Sequence, residues 1–170
     1  MRQLCLADRR LPVLYATLKA VHLLSVIVWI GGMFFMLACL RPAAAALEPP
    51  VRVRLMHAIM GRFFAAVSVA ALLVLASGAA MVGFAARDAT RSGLAFNMPL
   101  DWYAMIALFV VMVGVFAHVR LALFPRLERA LAAEAWPAAG AALVAIRWEV
   151  LVNLVLGTFV VVMVRLGGAA

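Results

Sequence analysis

Apolar side chains run almost unbroken through four stretches of this chain. The first extends from about Val13 to Leu40 and stops at Arg41-Pro42. The second runs from about Met56 to Ala86 and stops at Arg87-Asp88. The third runs from about Trp102 to Phe124, ending before Pro125, and the fourth from about Ala142 to Leu166. Each is long enough to cross a bilayer as a helix, which takes about 20 residues. Pro49-Pro50 suits the N-terminal start of the second helix, and Pro125 is expected to break the third. The linkers are short, which favours antiparallel neighbours. The pattern therefore predicts an all-α integral membrane protein: one transmembrane domain, an up-down-up-down bundle of four helices (13–40, 56–86, 102–124 and 142–166). Leu127 to Ala139, with Glu128, Arg129, Glu134 and Trp136, reads as a short interfacial helix. No internal repeat stands out.

Composition agrees with that reading. Of 170 residues, 69% are apolar and 13% charged, too little polar surface for a soluble domain of this length. The net charge of +8 could suggest nucleic acid. The arginines, however, fall mostly in short loops and at helix ends, where they meet lipid headgroups. The bilayer is therefore the expected partner, and nucleic acid is not. Cys5 and Cys39 are not a disulfide framework; if the first helix spans, they lie on opposite sides of the membrane. Ala43 to Ala46 offers a small-residue cleavage site, but the preceding apolar run is too long for a signal peptide and carries Lys19 and His22. Seven basic residues flank the helices on each side, so the positive-inside rule gives no orientation.

His22 is the most informative polar residue. It lies inside the first apolar stretch, on a helical face with Lys19, Val26, Trp29, Met33 and Met36, beside Gly31-Gly32. An ionisable side chain at membrane depth is costly, and a neutral imidazole can ligate a metal or a haem iron. His57 starts the second helix and His118 ends the third. From helix midpoints, His22 and His118 differ in depth by roughly 15 Å, too far for one iron to take both. Two arrangements follow: a site centred on His22, matched in depth by Met105 or Met81, and a separate site built on His57 and His118. Near the latter, Met36, Cys39, Met56 and Met60 add soft donors, and thioether, thiolate and imidazole suit Cu(I). Packing alone also explains methionines in an apolar core. Arg62 can pair a haem propionate or Glu149. Glu149, Asn153 and Gly157 share one stripe of the fourth helix, and Glu149 can form an interfacial ion pair. No zinc-protease helix signature, phosphate-cradling glycine loop or serine nucleophile elbow is present, so hydrolase and nucleotide-driven chemistry are not expected.

The run LKAVHLLSVIVWIGG, Arg62-Phe63, Ser77-Gly78, Pro125 to Leu127 (PRL) and Arg147-Trp148-Glu149 together resemble the copper resistance protein D (CopD) family. That resemblance implies a bacterial inner-membrane protein linked to copper uptake or tolerance. The first helix also resembles the HemJ-type protoporphyrinogen oxidases, four-helix membrane proteins that bind b-type haem. Their lysine-alanine-x-histidine pattern, followed by tryptophan and glycine, is matched by Lys19, Ala20, His22, Trp29 and Gly32. This implies His22 as a haem ligand. The lysine that partners it there follows a tryptophan by four residues; here Ile106 holds that position after Trp102, with Met105 adjacent. The resemblances imply a membrane protein with a b-type haem on His22 that passes electrons to a membrane redox partner or quinone. The alternatives are a haem-free copper-binding protein and a structural subunit. Glycines within the helices would let two bundles approach as a homodimer.

Overall fold

The computed structural model describes residues 2–167, with side chains from Pro12 to Leu166. The side chains of Cys5, Arg2, Arg9 and Arg10 lie outside the described residues. The described chain is helical apart from short turns and the connection before Leu100. Helix α1 (Arg2–Phe35) continues through a π-helical turn (Met36–Leu40) into α2 (Arg41–Ala44). Helix α3 (Pro49–Arg91) is the longest. Helix α4 (Leu100–His118) passes through a second π-helical turn (Val119–Leu123) into α5 (Phe124–Ala132), and α6 (Trp136–Gly167) completes the chain. Four segments are long and apolar enough to cross a membrane: Pro12–Ala44, Pro49–Arg91, Leu100–Ala132 and Trp136–Leu166. Helices of this kind satisfy every backbone polar group internally, which the hydrocarbon layer requires.

The helices extend past the stops expected from sequence. α3 begins at Pro49 itself, where proline's fixed φ suits a helix start and its missing N–H costs nothing. Pro42 and Pro125 do not end their helices. Each follows a π-helical turn in which the preceding residue bonds five positions back, Arg41 N–H to the Met36 carbonyl and Phe124 N–H to the Val119 carbonyl. The register shifts there, and each proline stands in the first turn of a new α-helical run, where no N–H is needed. The expected interfacial helix over 127–139 is divided. α5 buries Phe124, Leu127 and Ala130 on one face, then ends at Glu134, whose φ of 51° is left-handed.

The residues form two compact units, Met1–Trp29 with Val67–Met98, and Ile30–Ala66 with Pro99–Ala170. The second holds the main hydrophobic cluster. Met36, Ala44, Val53, Met56, Met60 and Phe64 meet Val119, Leu123, Phe124, Leu127, Leu143 and Ile146 there. Phe64 stands edge-on to Phe116 and Phe124, with centroids 5.9 and 5.1 Å away. Helix α6 packs along both α4 and α5. In the first unit the buried polar side chains are Ser25 and Ser77.

Candidate functional site

Helices α1 and α3 place His22 against Ser77 and Gly78. His22 Nδ1 lies 3.0 Å from Ser77 Oγ. The Ser77 hydroxyl itself donates to the Leu73 carbonyl, with the Val74 carbonyl 3.3 Å away. With its proton spent on the backbone, Ser77 Oγ accepts from His22 Nδ1–H. This puts the proton on Nδ1, the tautomer in which Nε2 is the nitrogen that can ligate a metal or haem iron. Gly78 allows the close fit: a Cβ there would stand 3.4 Å from the imidazole Cε1.

A separate cavity of about 370 Å³ lies within the second unit. Its wall is apolar: Met36, Met56 and Met60 contribute thioethers, and Phe63, Phe64 and Leu143 contribute rings and methyls. All three methionines are buried. Helical spacing explains the convergence, because Met56 and Met60 are one turn apart on α3 and point to the same side. Met36 comes from the π-helical turn after α1, where the widened backbone changes which residues face inward. Arg41, Arg52 and Arg147 also line the cavity, and no Asp or Glu does. Arg41 lies within the electrostatic reach of Arg52 and Arg147. Its guanidinium makes one long hydrogen bond, Nη1 to the Leu143 carbonyl at 3.5 Å. Arg147 lies over the Trp148 ring, 5.8 Å from its centroid. The cavity is thus lined by both soft uncharged donors and positive charge.

The other two histidines each lie near a carboxylate. His57 stacks on Phe124, with centroids 5.1 Å apart and planes 4° from parallel. Its Nε2 lies 3.6 Å from Glu128 Oε1, beyond hydrogen-bond reach, and makes no hydrogen bond. His118 is exposed, with Nδ1 3.4 Å from Glu149 Oε1. Among the described residues, no group of three or more His, Cys, Asp or Glu side chains could hold a metal ion. Histidine and carboxylate therefore do not assemble a borderline-donor site there. The thioether set is the remaining soft one.

The family model described as Copper resistance protein D matches residues 57–166, more than half of the chain. The chain belongs to the copper resistance protein D family. Comparison with curated proteins and with solved structures gives no match. In this CopD-family chain, His57, Met60, Arg62, Met105, His118 and Glu149 fall within the matched stretch, while His22, Met36, Cys39 and Met56 precede it. Of the soft donors expected near His57 and His118, the structure brings Met36, Met56 and Met60 to one cavity. Cys39 is exposed, and neither it, His57 nor His118 lines that cavity. Met105 is half-buried on α4. Arg62 is exposed, and the carboxylate expected as its partner, Glu149, is taken by His118. Asn153 is 3% exposed and its Oδ1 has no hydrogen-bond partner. Sequence reasoning read the arginines mostly as headgroup contacts, and Arg147 as part of a polar entry to the fourth helix, and so missed the cavity that Arg41, Arg52 and Arg147 share. The family motif Arg147-Trp148-Glu149 was the available signal.

Proposed function

We propose that this CopD-family chain handles copper in a bacterial inner membrane, holding Cu(I) as cargo on the thioethers of Met36, Met56 and Met60. The observation that carries the reading is their convergence in one cavity without a competing carboxylate. Thioethers are soft, uncharged and need no deprotonation, so they favour Cu(I) over the harder divalent ions. Three of them can hold a monovalent ion and still release it.

Anaerobic titration of the detergent-purified chain with Cu(I), against a chromophoric chelator, tests this. One equivalent is expected to bind. Replacing Met56 and Met60 together by Leu should lower the affinity at least about tenfold while the fold persists, because Met-to-Leu swaps usually cost under about 1.5 kcal/mol. Unchanged Cu(I) binding in that double variant would defeat the assignment.

A second reading rests on His22, whose Nδ1–H is held by Ser77 in the tautomer that makes Nε2 the ligating nitrogen. That imidazole suits one axial position of a b-type haem, which would supply one-electron chemistry when bound. The same purified protein decides. A reduced-minus-oxidised haem spectrum that is lost in His22→Ala supports this reading, and a flat spectrum after expression with ample haem removes it.

A further inference from the structure

Charge is the unusual property of the cavity. Three neutral thioethers do nothing to offset the charge of a bound Cu(I), and the charged side chains that line the cavity with them are Arg41, Arg52 and Arg147. A bare cation entering such a site meets repulsion from all three and attraction from none, at the reduced effective dielectric of a partly buried cavity. The guanidinium groups themselves lack acidic partners: the ion pairs among the described residues join Arg54 to Glu134, His57 to Glu128 and His118 to Glu149. Arginines grouped without a carboxylate are a site for an anion. The cavity thus offers thioethers to a soft cation and guanidinium groups to a negative charge, and each set lacks what the other's ligand would bring.

We propose that the cavity takes Cu(I) together with one soft monoanion, a thiolate or a halide. The anion completes the coordination of copper, and Arg41, Arg52 and Arg147 hold its charge. This rests on the reading of the cavity as a Cu(I) site. The copper arrives already bound to such anions, as a two-coordinate anionic complex. One copper–anion bond breaks and that anion leaves with its electron pair. Copper–sulfur bonds to the thioethers form in its place, and the second anion stays on the metal beneath the arginines. Copper remains Cu(I) throughout, and no proton or electron is transferred. The arrangement also selects: free monovalent and divalent cations are repelled by the guanidinium groups, whereas an anionic copper complex is drawn in.

The test uses the whole purified chain in detergent, anaerobically, with free Cu(I) fixed by a chelator buffer. Bromide in one series and a small monothiol in another are added to a gluconate background. The apparent Cu(I) affinity is expected to rise by about tenfold or more with the added anion, as an ion contact at reduced dielectric allows. Copper X-ray absorption should then show a bromine neighbour in the bromide series. Dependence on bromide alone identifies a halide site, and dependence on the thiol alone a thiolate site. Arg41→Gln with Arg147→Gln should abolish the rise, and Arg41→Lys with Arg147→Lys should restore much of it, which separates charge from folding. Met56→Leu with Met60→Leu should lose copper at every anion concentration. If copper binds to the thioethers with an affinity indifferent to both anions and no bromine neighbour, the anion proposal fails and the Cu(I) site stands. If no copper binds in any buffer, both fall.

Discussion

Gly32 shows how one missing methyl group shapes the site. Together with Gly31 it reads from sequence as a pair that clears space for another helix or a flat ligand. The structure separates the two. A Cβ on Gly32 would overlap the ring of Phe63, whereas a Cβ on Gly31 meets nothing within 4 Å. Phe63 is part of the cavity wall, so Gly32 fixes where that wall stands. Gly32→Ala should push the ring aside and destabilise the protein by about 1–3 kcal/mol, the usual range for overpacking. Gly31→Ala should stay within about 0.5 kcal/mol of the parent. Thermal unfolding of the two variants in the same detergent compares them, and an equal effect of both would contradict the contact. That a glycine pair leaves room was legible in the sequence. Which glycine is filled, and by what, depends on a side chain about 30 positions away, and no local pattern carries that.

At the scale of elements, the apolar stretches located the helices, and the breakers misled about their ends. Proline was read as a stop because it lacks an N–H and its ring clashes with the carbonyl four residues back. Both effects assume that the α-helical register continues up to the proline. The π-helical turns before Arg41-Pro42 and Phe124-Pro125 change that register, and a π-turn has no composition signature comparable to proline's own. The true stop near α5 is Glu134, a residue type with no preference for the left-handed region. It follows a helix end closed by Ala135 N–H to the Ala130 carbonyl at 2.9 Å, the six-to-one bond that usually places glycine at this position. Its exposed ion pair with Arg54, at 3.8 Å, contributes little in return. Glu134→Gly is therefore expected to stabilise the chain, by up to about 1 kcal/mol. A lowered melting temperature would show that the Arg54 contact outweighs the backbone strain.

For the whole molecule, the distribution of charge says which parts of these long helices lie in lipid. Residues 20–40, 63–86, 102–119 and 150–164 carry no Lys, Arg, Asp or Glu. At ~1.5 Å per residue, α3 is roughly 64 Å long, about twice the ~30 Å hydrocarbon layer. Its charge-free part begins after Arg62 and ends before Arg87, so these two arginines bracket the span. Arg62, exposed and without the carboxylate partner expected from sequence, then sits where a long cationic side chain reaches headgroups. The buried cluster around Val53, Met56, Phe124, Leu127 and Leu143 is drawn largely from the segments beyond the charge-free ones. The thioether cavity lies in the same unit as that cluster and shares Met36, Val53, Met56, Met60, Phe64 and Leu143 with it. From sequence, Arg129 falls in the expected interfacial helix over 127–139, whereas Arg52 and Arg54 precede the expected start of the second helix at Met56 and belong instead to the first turns of α3. If α3 crosses the bilayer between Arg62 and Arg87, a cysteine at Arg54 and one at Arg91 must face opposite sides. In a chain with Cys5 and Cys39 replaced by Ser, a membrane-impermeant maleimide on sealed inverted vesicles should label one of the two and spare the other, with the preference reversed in right-side-out cells. A cysteine at Glu134 should follow Arg54, because the two side chains meet. Labelling of Arg54→Cys and Arg91→Cys from the same side would mean that α3 does not cross there, and the up-down order of the helices would have to be redrawn.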